Sequence, residues 1–413
     1  MILEIVYFLA LGLIGLALLF PGIPRLGALL AAGCALPVGL SATALVQLLL
    51  AIVNFKLNAI LIWALLAVEI AAAGAWLATT KPKAITAVWK PALILAAAIG
   101  LVAIVQATQH AAVLSFDSYD YLVIASNLYR ADTALGSDAI SGFLNNYAPL
   151  LWLAHAPARL FGQEFLALLH PLVFVSLLLT TCGLVETCTR DARVSRLIRI
   201  PAIAAPAIVL MTTPQILHHA VYVMPNLLTG LMFTAAIGFL WIAGTQPDSR
   251  RLIIPAAICL AAVTLARQEG GLMSAILLVM FSTTDKVNWL AKMALAGFVA
   301  AVSTVWYVTL ISVTGPAADQ AILTPIGAML QIGCLWVAAA IAGASSIPSL
   351  NRSILLAAMS MPLILAFGHV AYFVIKPAHA IESMGVFAVN ALWAPALWGI
   401  WWGVALPAGG LTL

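Results

Sequence analysis

Asp117 and Asp120 stand three residues apart in the segment Ser115-Phe-Asp-Ser-Tyr-Asp-Tyr121. If that segment turns as a helix, both carboxylates fall on one face. Such a pair suits taking a proton from a hydroxyl, or holding a divalent cation such as magnesium or manganese. Elsewhere Arg267 and Glu269 flank Gln268, and His218 and His219 are adjacent. A guanidinium and imidazoles grip and neutralise a phosphate, and Glu269 can orient the arginine or share a metal. Each group also has a plainer role. Asp117 can cap a helix, Arg267 and Glu269 can pair at a tight turn, and the histidines, like His369 and His379, can be hydrogen-bonded interfacial residues.

The elements that must position these groups are membrane helices. Hydrophobic residues make up 64% of the 413-residue chain and charged residues 8%, where a soluble domain carries about a quarter charged. About 20 apolar residues cross the hydrocarbon core as a helix, which satisfies its own backbone. The chain therefore reads as all-α, a polytopic transmembrane bundle of roughly thirteen spans by length and hydropathy. They fall near 3–20, 27–53, 57–79, 91–109, 163–188, 199–214, 223–244, 252–266, 271–283, 289–313, 321–345, 353–375 and 384–406. The runs 252–266 and 271–283 are short, and joined into one bent helix they would reverse everything after them. The first stretch lacks a basic flank and a cleavage motif, so it reads as a retained helix. Residues 1–90 form an N-terminal three-helix unit and 91–413 a second membrane module, with an outer loop at 110–163.

Positive charge gives the sidedness. With the N-terminus outside, one face receives thirteen of the 18 Lys and Arg residues, among them Arg25, Arg190, Arg250, Arg251, Lys286 and Lys292. The other receives Lys56, Arg130, Arg159, Arg267 and Lys376. That bias sets the first face in the cytoplasm, so the 110–163 loop, Arg267-Gln-Glu269 and the stretch from Lys376 to Glu382 all lie outside. The four arginines from Arg190 to Arg199 read as the ordinary cytoplasmic anchor of two flanking helices, with a grip on anionic headgroups or a partner as the alternative. The net charge of +4 is distributed by this topology and points to no nucleic acid. The five cysteines sit in apolar runs without metal-ligand spacing. Glu69, inside the third helix, suits a buried hydrogen bond or a subunit contact better than catalysis.

Four of the 14 acidic residues (Asp117, Asp120, Asp132 and Asp138) fall in the outer loop. Between Tyr119 and Tyr129 its apolar residues recur as a helical stripe suited to lying in the membrane surface. Leu150-Leu-Trp-Leu-Ala154 after Pro149 is apolar but too short to span. A spanning helix that ends outside in an acidic motif, followed by surface helices, resembles the GT-C superfamily of membrane glycosyltransferases. Leu265-Ala-Arg-Gln-Glu-Gly-Gly271 looks like the family's recurrent Thr-Arg-x-Glu-Gly. Thr213-Pro214 through His218-His219 to Pro225-Asn226 occupies the place of an outer turn, although Val223-Met224 stands where many members have an aspartate.

The resemblance implies transfer of a sugar from a polyprenyl-phosphate-linked donor to an extracytoplasmic acceptor, at a bacterial plasma membrane. Such chemistry needs a base at the acceptor hydroxyl, positive charge on the leaving phosphate and a dry pocket. Asp117 and Asp120 are the expected catalytic carboxylates, with Arg267, Glu269, His218 and His219 binding substrate. The Asp117 carboxylate and Arg267 guanidinium are expected within about 15 Å, roughly one sugar-phosphate unit plus contacts. The other partners are membrane lipids and a membrane protein. Two further classes remain open: a non-catalytic scaffold subunit that keeps the fold, and a small-molecule or lipid transporter.

Overall fold

A computed structural model describes residues 1–346 apart from 54, 56–57, 79–81, 110–111, 115, 131–147, 193, 268–269 and 315–324; for Asp117 and Asp120 it describes the backbone. The described residues are all-α. The main helices are α1 (Ile2–Leu19), α2 (Ala28–Ile52), α3 (Ala59–Ala78), α4 (Pro82–Gln109), α5 (Phe116–Arg130), α6 (Pro149–His155) and α7 (Leu169–Asp191). There follow α8 (Arg196–Thr212), α9 (Pro214–His219), α10 (Pro225–Thr245), α11 (Ile253–Ala266), α12 (Gly270–Ser282), α13 (Trp289–Thr314) and α14 (Pro325–Ala344). Among these residues the β structure is a single isolated bridge between Val113 and Tyr222.

Among the described residues, seven segments are long and apolar enough to cross a membrane: Ile2–Leu26, Ala28–Ile52, Ala87–Gln109, Leu169–Arg190, Pro225–Thr245, Ser249–Ala266 and Trp289–Thr309. They mark an integral membrane protein, with seven such helices in place of the roughly thirteen expected from hydropathy. For two of the expected spans the shortfall has a physical cause. Helix α8 has 17 residues and holds Pro201 and Pro206 in its interior. Helix α12 has 13 residues, and at 1.5 Å per residue these cover about 20 Å of a core about 30 Å thick. Helices α3 and α14 have 20 residues each, and the described apolar residues within them run over Ile60–Ala72 and Gln331–Ala344. The expected spans at 353–375 and 384–406 lie outside the described residues.

Glycines set the closest contacts. A Cβ on Gly15 of α1 would run into the Ala35 carbonyl of α2, and one on Gly39 of α2 into the Leu11 carbonyl of α1. Gly33 of α2 lies on Thr180 of α7, and Gly183 of α7 on Leu30 of α2. Small residues let backbones approach, which is the main packing device where lipid removes the hydrophobic drive between helices. Helix α10 is buried almost throughout, whereas Leu197, Ile198, Ile208 and Met211 of α8 are exposed and form an apolar outer face.

Helices α11 and α12 fold back on one another instead of forming one bent helix. Ser274 Oγ donates to the Leu260 carbonyl at 3.3 Å, and Gly270 sits against the Val263 carbonyl. The hairpin reverses at Arg267. Glu69, the carboxylate inside α3, accepts a hydrogen bond from Thr43 Oγ1 at 2.9 Å. Cys34, Cys182, Cys188, Cys259 and Cys334 are free thiols.

The bundle has two chemically different ends. At one, Arg190 donates to the Arg25 carbonyl at 2.7 Å, and Gly22 packs on Leu252, beside Arg250 and Arg251. Thr284 Oγ1 donates to the Gly244 carbonyl at 3.2 Å, and Lys292 Nζ to the Ser282 carbonyl at 2.8 Å. Of the cations assigned to one face by sequence, Arg25, Arg190, Arg250, Arg251 and Lys292 therefore share one end. At the other, the Leu168 backbone N–H donates to Glu4 Oε1 at 2.7 Å. The start of α5, the turn after α9 and the Arg267 tip gather on that side.

Candidate functional site

The start of α5 is fastened to the turn after α9. Val113 N–H donates to the Val221 carbonyl at 2.8 Å, and Val223 N–H to the Val113 carbonyl at 3.2 Å. Ser118 Oγ donates to the Val223 carbonyl at 2.9 Å. These bonds join segments more than a hundred residues apart in sequence, and they hold the backbone of Asp117 within one residue of the histidine turn. Because α5 covers both Asp117 and Asp120, the two Cα atoms lie about one helical turn apart, as the i, i+3 reading requires. Asp117 is the second residue of the helix, inside the first turn and past the capping position, where a carboxylate still favours the helix dipole. The side chains of both aspartates, and all of Glu269, lie outside the described residues, as do Asp132 and Asp138. The expected Asp117–Arg267 separation falls on one of those side chains.

Helix α9 is a single short turn begun by Pro214, and it brings His218 and His219 onto Tyr222. The ring centroids lie 4.8 Å apart for His218–Tyr222 and 5.6 Å for His219–Tyr222. His218 is exposed, while His219 is buried. Burial pushes the His219 imidazole down to about 4, with the His218 and Arg267 charges adding to the effect. Arg267 is thus within electrostatic reach of His219. It is partly buried, its backbone is extended, and its carbonyl accepts the Gly270 N–H at 3.1 Å, which closes the hairpin tip.

The second part of the outer loop corrects an expectation. The apolar stripe of α5 is present, with Tyr121, Leu122, Ile124 and Ala125 buried and Tyr119 and Val123 exposed. Helix α6, in contrast, is buried at every residue and is no surface helix. It packs against α2, α5 and α11, and Trp152 meets Trp306 of α13 at 6.1 Å between ring centroids. The reason lies in its sequence: Pro-Leu-Leu-Trp-Leu-Ala has no polar face to show to water or headgroups, so it inserts.

That insertion carries in a residue pair absent from the sequence reading. His155 ends α6 and His170 lies in the first turn of α7; both are buried. Their Nε2 atoms are 3.3 Å apart and the rings stack at 5.4 Å. Burial and the neighbouring His170 hold His155 well below the usual imidazole range. His170 in turn interacts electrostatically with His219. The signal was weak: two histidines 15 residues apart, with no motif between them.

Seven buried side-chain atoms have no hydrogen-bond partner among the described residues, and five are on elements of this end: Ser126 Oγ, Trp152 Nε1, His170 Nδ1, His219 Nδ1 and Asn226 Oδ1. Buried polar groups are normally paired, and these five are the exceptions at that end. No group of three His, Cys, Asp or Glu side chains suited to a metal ion occurs among the described residues. Comparisons with family models, with characterised proteins and with solved structures find no match.

Proposed function

We propose that this protein is a membrane glycosyltransferase that moves a sugar from a polyprenyl-phosphate donor to an extracytoplasmic acceptor, in the manner of the GT-C superfamily it resembles. One observation carries the reading. The Asp117 helix start, the His218–Tyr222 turn and the Arg267 hairpin tip, distant in sequence, converge on the end away from Arg25, Arg190 and Lys292. A carboxylate helix beside buried imidazole and guanidinium is the arrangement that hydroxyl activation and phosphate departure need.

In this reading the acceptor hydroxyl oxygen bonds to the anomeric carbon as the bond from that carbon to the phosphate oxygen breaks. The hydroxyl proton passes to the Asp117 carboxylate. The electron pair of the broken bond stays on the phosphate, which Arg267 holds by charge and His219 by hydrogen bonding. Attack opposite the leaving group inverts the anomeric centre. Asp120 positions the acceptor, and Glu269 orients Arg267. The apolar outer face of α8 suits contact with membrane lipids.

The test is release of polyprenyl phosphate from a panel of radiolabelled polyprenyl-phosphate sugars by the purified protein in liposomes. Release that disappears in Asp117→Asn supports the reading. A folded protein that releases nothing from any donor leaves the scaffold subunit, and flux of labelled donor without bond cleavage identifies a transporter.

A further inference from the structure

The buried pair His155–His170 has a hydrogen-bond pattern that fixes where its protons are. The Leu166 backbone N–H donates to His155 Nδ1 at 3.1 Å. A nitrogen that accepts carries no proton, so the ring proton of His155 is on Nε2. That atom lies 3.3 Å from His170 Nε2 and donates to it. His170 Nε2 is therefore the acceptor, and the ring proton of His170 is on Nδ1.

His170 Nδ1 is buried and has no partner among the described residues. A buried N–H calls for an acceptor. The neighbouring titratable group is His219, whose Nδ1 is also buried and without a partner, and Arg267 acts on that same ring. Metal binding by the pair is disfavoured by the same pattern. An imidazole that ligates a metal through one nitrogen donates with the other, whereas His155 Nδ1 accepts, so ligation through Nε2 would require an imidazolate.

We propose that His170 is a phosphate-binding residue, presenting its Nδ1–H to an anionic phosphate oxygen bound beside His219 and Arg267, and that His155 is the positioning residue that fixes this tautomer. The inference rests on the phosphate-donor reading above and deepens it. A neutral donor adds hydrogen bonding and direction to a site where Arg267 supplies the charge, without a second buried cation to desolvate.

The experiment is nitrogen NMR on the full-length protein, labelled at histidine, in lipid nanodiscs. The expected result is an Nδ1–H tautomer for His170 and an Nε2–H tautomer for His155. Addition of a short-chain polyprenyl phosphate shifts the His170 Nδ1–H signal, and the corresponding polyprenol does not. A shift with inorganic phosphate at the same concentration identifies free phosphate as the ligand of the site; a shift with the lipid alone identifies the headgroup. An Nε2–H tautomer at His170, or no response to either phosphate, overturns the proposal.

His170→Leu should weaken phosphate binding about 10- to 100-fold, while His170→Asn, which keeps a donor near the Nδ1 position, should lose less. In His155→Phe, His170 should populate both tautomers with the fold intact. Where that variant fails to fold, the wild-type tautomer and its phosphate shift decide. Phosphate binding with this signature but no sugar transfer sinks the transferase and leaves the site. Sugar transfer with a silent His170 sinks the site alone.

Discussion

At the residue scale, His219 ties the site to pH. Its imidazole sits at about 4, against an ordinary 6.5, because burial disfavours the charged ring and the His218 and Arg267 charges oppose it further. Between those values the unfolded chain binds a proton that the folded chain excludes. Stability is therefore full above about pH 6.5 and is lost as the pH falls towards about 4. The thermal midpoint in detergent should drop across that interval, and His219→Gln should flatten the slope. An unchanged slope in the variant means that His219 is not the group responsible. Asp117 makes a different demand. Its substitution by Asn should lower sugar transfer by about 100-fold or more, the usual contribution of a positioned base, while the melting point stays nearly constant. A change confined to helix ends would instead cost about 1 kcal/mol of stability. Full activity with a lowered melting point would leave Asp117 only its part in the first turn of α5.

At the scale of elements, glycine packing separates two outcomes of one substitution. Alanine is favoured over glycine in a helix by about 1 kcal/mol. Gly100 and Gly297 have open space around a Cβ, so Gly100→Ala and Gly297→Ala should hold or raise the melting point. Gly15→Ala and Gly39→Ala should lower it, because each Cβ meets the backbone of the facing helix; equal shifts in all four would rule out the interlock. The long apolar runs of α1, α2, α7 and α10 were legible in the sequence, since hydropathy reports transfer to lipid directly. So were the helix that begins near Asp117 and the two short helices around Arg267. Span number was less legible, because a hydropathy window scores a 13-residue hairpin arm much like a full span. Burial of α6 was only partly legible: the lack of a polar face disfavours a membrane surface, but the partners that cover it, α2, α5 and α11, are set by contacts far away in the chain. The His155–His170 pair followed from that burial and was hidden with it.

For the whole molecule, the separation of its two ends is the property to test. Single cysteines introduced in the Asp117 loop, at Gln268 and at Ala378 should be labelled by an impermeant thiol reagent from outside, and cysteines beside Arg25, Arg190 and Arg250 only after the membrane is opened. The expectation combines the Lys and Arg bias with the gathering of Arg25, Arg190 and Lys292 at one end. Labelling of residue 268 only from the cytoplasmic side would reverse the hairpin and detach Arg267 from the site.

The bond between Glu4 and the Leu168 backbone has a consequence for how the protein is made. Its two ends are 164 residues apart in the chain, which at about 5–20 residues per second is roughly 10–30 s of translation. Through that interval the Glu4 carboxylate lacks the Leu168 backbone donor that it has in the fold. The nascent N-terminal segment therefore depends on lipid headgroups, water or the insertion machinery to shelter that charge. In a chain stalled before Leu168 that charge should stay at the water–headgroup boundary, without the backbone donor that lets it be buried.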